Sequence, residues 1–104
     1  MHYSVSFSKL DTMLHAHRFC LANPFRNQID VCLYDGAVAG DRVTQIGFPG
    51  WTREVPRSTI KLVRQATGLI EAKGVDSFSF YHGGDPLPHI INEYSSLLER
   101  LADR

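Results

Sequence analysis

Cysteine is scarce in this 104-residue chain. Two residues, Cys20 and Cys32, are too few to staple a small secreted fold, which excludes a disulfide framework. No apolar run nears the ~20 residues a membrane-crossing helix needs. The opening "MHYSVSFSKL" also lacks the basic stretch and long apolar core of a signal peptide. Net charge is missing as well. Eleven basic and eleven acidic side chains cancel, which argues against a protein that coats nucleic acid and against an acidic mimic of it. There is no internal repeat, linker or low-complexity stretch, no GxGxxG, and no Walker loop with its lysine. "RVTQIGF" lacks the Gly-and-aromatic run that RNA-recognition modules place on a central strand. These absences leave one expectation: a single cytoplasmic domain, residues 1–104, with both thiols free. At 43% hydrophobic and 21% charged, such a chain buries a core with little stability to spare, so dimerisation is a natural supplement.

Periodicity assigns the elements. "HYSVSFS" alternates Tyr3, Val5 and Phe7 against polar neighbours and predicts a strand. Leu10, Met13, Leu14, His17, Cys20 and Leu21 fall on one helical stripe, started by Asp11 or Thr12 and stopped at Asn23-Pro24. "IDVCLY" (29–34) reads as a second strand and "RVTQIGF" (42–48) as a third, across the turn "DGAVAGD". From Pro56 to Lys73 the apolar spacing predicts a helix ended by Gly74, with Gly68 an unfavourable interior residue. "VDSFSFY" (75–81) alternates and predicts a fourth strand. Leu87, Ile90, Ile91, Tyr94, Leu97, Leu98 and Leu101 mark a C-terminal amphipathic helix. The order βαββαβ predicts a ferredoxin-like α+β sandwich: a four-stranded antiparallel sheet, two helices on one face, and the extra helix.

Chemistry-bearing residues are few. "FYHGGDPLPH" (80–89) joins a strand end to a helix start, with Tyr81, His82, Gly83 and Gly84 as a candidate ligand site. Asp85 at the cap position and Pro86 at the first helical position favour a plain turn-and-cap instead, and the two prolines withhold the N–H groups an anion cradle needs. His15 and His17 point apart on a helix. His17 with Cys20 supplies only two ligands, so no metal or cofactor is expected. Cys20 on a buried stripe and Cys32 in mid-strand make poor nucleophiles, and no catalytic set is assigned.

Two features favour contact with a partner. "GFPGWTREVP" (47–56) gathers Phe48, Trp51 and Arg53 on a proline-stiffened loop, a hot-spot composition; the bland reading is that Trp51 plugs one end of the core. Arg57, Lys61 and Arg64 align opposite the apolar face of the following helix, as a solvated face or as a strip for an acidic partner or a second copy's acidic tail. The expectation is a small non-enzymatic protein–protein interaction module, an inhibitor, antitoxin, immunity factor or regulatory subunit, contacting its partner through Phe48, Trp51, Arg53, Arg57, Lys61 and Arg64. The alternative is a homodimeric small-molecule enzyme or sensor using His82, assisted by Tyr81, Tyr34 or His17. A nucleic-acid binder using the basic helix is the weakest of the three.

Overall fold

The computed structural model of the protein describes residues 4–82. The first element is a helix, α1 (Phe7–His15), where alternation predicted a strand. Its start explains the difference. The Ser6 hydroxyl accepts from the Lys9 N–H at 3.1 Å, while the N–H groups of Phe7 and Ser8 donate to the carbonyls of Arg53 (3.1 Å) and Trp51 (3.0 Å). The leading donors that a helix leaves orphaned thus all find acceptors, two of them supplied by a loop distant in sequence. Phe7, Leu10, Met13 and Leu14 then form its buried stripe. The helix ends well before Leu21: Arg18 takes a left-handed φ of 65° and turns the chain into a strand.

That strand is β1 (Phe19–Phe25), followed by β2 (Gln28–Tyr34) and β3 (Ala39–Gly47) in an antiparallel meander of order β1-β2-β3. The stretch 19–25 therefore holds a strand and not the end of a helix, and Asn23-Pro24 sits at an irregularity between Ala22 and Phe25. Leu21 pairs with Val31 and Ile29 with Ile46, giving one apolar sheet face. On the other face Cys20 pairs with Cys32, and Asp30 accepts from the Gln45 amide at 3.2 Å. At the outer edge of β1, the Leu21 N–H donates to the Asp11 carboxylate of α1 at 2.8 Å.

After the loop 47–56 comes α2 (Arg57–Thr67), which buries Ile60 and Val63 and stops at Gly68, left-handed at φ 76°. Gly68 is thus the helix cap and not the interior defect the periodicity implied. A short 3-10 turn (Glu71–Lys73) and Gly74, at φ 89°, lead to α3 (Ser77–His82). The predicted strand over 75–81 is overturned here. Asp76 accepts the Ser79 N–H on its carboxylate (2.8 Å) and the Phe80 N–H on its carbonyl (3.0 Å), a helix start. With no strand at 4–8 or at 75–81 among the described residues, the four-stranded ferredoxin-like sandwich gives way to a three-stranded α+β arrangement. Its single core joins Phe7, Leu14, Val31, Ile46, Val63 and Phe80, with α1 packed on β1 and α2 on β3. Among the described residues no helix is long and apolar enough to cross a membrane. The C-terminal helix predicted from periodicity, Gly83, Gly84 and the predicted cap at Asp85-Pro86 lie outside the described residues.

Candidate functional site

Two neighbouring surfaces carry the residues singled out for contact. The loop 47–56 is fastened to the start of α1. The same bonds that satisfy α1 hold the carbonyls of Trp51 and Arg53, and the Val55 N–H donates to the Val5 carbonyl at 2.8 Å. An aromatic stack backs this backbone arrangement. Phe48 meets Phe7 edge-on with centroids 5.3 Å apart, and Trp51 meets Phe48 edge-on at 4.9 Å. Trp51 keeps 39% of its surface exposed, so it is anchored on one side and presented on the other. Arg53 is exposed beside it.

The second surface is a groove of about 550 Å³ between α2 and the segment 70–81. Arg57, Ser58, Lys61 and Gln65 form its α2 wall; Glu71 and Ser77 stand on the other wall; Ile60, Ile70 and Tyr81 supply apolar surface. Arg57 and Lys61 are exposed and make no ion pair or hydrogen bond among the described residues. The start of α2 is poor for helix stability. Pro56 offers no side-chain cap, the first turn holds no acid, and Arg57 meets the positive end of the helix dipole.

Arg64 lies in the same groove with a different task. Its guanidinium donates to the carbonyls of Leu69 (2.8 Å) and Val75 (2.7 Å) and to the Ser77 hydroxyl (3.2 Å). It also lies over the Phe80 ring, 5.3 Å from the centroid. The fork, reaching across from α2, clasps the chain between α2 and α3 that makes up the opposite wall. Helical spacing placed Arg57, Lys61 and Arg64 on one face; the structure adds that one of them is engaged internally. Ser58, Gln65, Ile70, Glu71 and Ser77 were not legible as site residues. They are polar or apolar side chains of ordinary type, and only the reversal of the chain at Gly68 and Gly74 brings them together.

The residues of the alternative site divide. Tyr81 lines the groove while remaining 6% exposed. His82 is 9% exposed, is not part of the groove lining, and packs its ring on Phe78 at 4.3 Å. His17 stacks on Phe80 with centroids 6.4 Å apart, whereas Cys20 lies in β1, so the two do not share a helical turn. Burial pushes the Cys20 thiol up, with Cys32 and Asp11 adding to it. Burial likewise raises Cys32, helped by Asp30 and opposed by Arg42.

A smaller cluster missed by the sequence reading sits where β2 ends. His15 stacks on Tyr34 at 4.4 Å, and its Nε2 lies 3.2 Å from Asp11. A cavity of about 270 Å³ is lined there by His15, Arg18, Tyr34 and Asp35 among others. The signal was available in the i, i+4 spacing of Asp11 and His15. Among the described residues the lining contains no Ser, Thr or Cys beside this imidazole–carboxylate pair. Among the described residues, no three His, Cys, Asp or Glu side chains converge as a metal site.

Comparison with protein families, with curated proteins and with solved structures finds no match to this chain.

Proposed function

We propose that the protein is a non-enzymatic interaction module of a reducing cytoplasm, acting on another protein as an inhibitor, antitoxin, immunity factor or regulatory subunit. The contact surface is the loop carrying Phe48, Trp51 and Arg53, together with the exposed side of α2. One observation carries the reading. Arg57 and Lys61 line an open groove with no bonded counter-charge among the described residues, directly after a loop whose Trp51 is braced from behind. A pre-braced aromatic loses little side-chain entropy on binding, and exposed cations steer an oppositely charged partner. The test is capture of the partner by the full chain, beside a Trp51→Ala/Arg53→Ala variant checked for folding and for self-association by sedimentation. A stoichiometric protein partner lost in the variant is the expected outcome; retention of every partner removes the loop from the site.

The ligand-sensor reading has one observation of its own: the groove has the size usual for small-ligand sites, and Tyr81 lines it. It requires that His82→Ala or Tyr81→Phe abolish binding of a small molecule by a folded protein. If both variants keep that binding, neither residue belongs to such a site.

A further inference from the structure

The groove's chemistry is more specific than a basic helix face, and it defines what part of a partner enters it. We propose that the groove between α2 and residues 70–81 receives an acidic segment of the partner protein that also carries a bulky apolar side chain, an inference that rests on the interaction reading above.

The charge argument begins at Arg64. Among the described residues its three acceptors are two backbone carbonyls and a hydroxyl; the Asp76 carboxylate is near enough to feel its charge but is not bonded to the guanidinium. Arg64 is partly buried, and it stands at the foot of a wall that also presents Arg57 and Lys61. Among the described lining residues Glu71 is the only carboxylate against these three cations. A concave surface concentrates such a field, and an anion entering it meets one internally bonded and two exposed cations. Lys61 and Arg57 lie one helical turn apart, so they match carboxylates spaced along an extended or helical segment.

The apolar argument excludes a bare anion as the whole occupant. Ile60, Ile70 and Tyr81 supply apolar surface between the charged rims, which an inorganic ion leaves wet and a Leu, Phe or Trp side chain covers. Glu71 sets the direction. It stands on the wall opposite Arg57 and Lys61, so acidic groups of the occupant lie along α2 and its neutral side faces residues 70–77.

The experiment pans a random dodecapeptide phage library on the full-length chain and measures the enriched peptide, fluorescein-labelled, by anisotropy. Enrichment of peptides combining several acids with a large apolar residue is expected. Charge reversal in Arg57→Glu/Lys61→Glu weakens binding about tenfold or more, and Glu71→Lys tightens it several-fold. Both variants alter exposed side chains, and their folding is confirmed by thermal unfolding. No enrichment, enrichment of neutral or basic peptides, or equal binding to the charge-reversed variant overturns the proposal. So does displacement of the peptide by pyrophosphate at matched charge, which identifies a site for bare anions. A cellular partner lost in Trp51→Ala/Arg53→Ala but kept by Arg57→Glu/Lys61→Glu sinks the groove assignment and leaves the interaction reading standing. A partner that survives both variants sinks both.

Discussion

Arg64 shows how one side chain holds a whole segment. Its planar fork reaches three acceptors on different residues, and its face covers the Phe80 ring. Arg64→Ala is expected to cost about 2 kcal/mol in urea unfolding, the scale of charge-assisted hydrogen bonds lost to partly buried acceptors. Arg64→Lys recovers little of it, because a single ammonium cannot span carbonyls on both sides of the turn. Near this clasp, Asp76 is held below the usual carboxylate range. The Ser79 N–H is the main cause, with the Ser79 hydroxyl and the Arg64 charge adding to it. Since the folded value lies below the unfolded one, this stabilisation is complete above the unfolded value of about pH 4 and disappears as the pH falls through the folded one. The protection factors of the α3 amides, corrected for the intrinsic exchange rate at each pH, should therefore fall on acidification, and Asp76→Asn should flatten that dependence. An acid limb unchanged in the variant would assign it to another group. Asp35 is lowered in the same way by the N–H groups of Val38 and Ala37, and it shares the direction.

Element ends, more than element interiors, decide this fold. The alternating stretch 29–34 lies within β2 and residues 42–47 of the second lie within β3, with Phe48 just past its end, and α2 begins beside Pro56 as its spacing implied. Residues 4–8 and 75–81 alternate just as well, yet both enter helices. Five or six residues of alternation fit either period, and the outcome rests on Ser6 and Asp76 as caps and on where the orphan N–H groups find partners. For α1 those partners include the carbonyls of Trp51 and Arg53, more than forty residues away, which no local pattern reveals. The basic face was legible because helical spacing alone aligns Arg57, Lys61 and Arg64. The opposite wall was not, since it depends on two left-handed glycines. Ser6→Ala should destabilise the protein by about 1 kcal/mol. Gly68→Ala should cost about 1–2 kcal/mol, because φ is 76° there and a Cβ would also lie 3.5 Å from the Lys73 ammonium. Chemical denaturation measures both, and a neutral Ser6→Ala would show that the loop carbonyls suffice to start α1.

At the scale of the molecule, the sheet presents one apolar face to the helices, and α3 completes the core through Phe80, which is fully buried. Phe80→Ala should cost about 3–5 kcal/mol, the range for emptying a phenyl site in a small core. It should also loosen the groove, since Phe80 supports both the Arg64 clasp and the turn of helix that carries Tyr81. Among the described residues the meander has two outer strands, β1 and β3, and an outer strand presents a row of backbone groups that can pair with another chain. On β1 the Asp11 carboxylate occupies the outward Leu21 N–H, tying a side chain of α1 across the middle of that edge. Asp11 is therefore a guard against strand-to-strand self-assembly as well as a brace for α1. Replacing it with alanine would leave β1 open to sticking to its copies, visible as light scattering that grows with protein concentration.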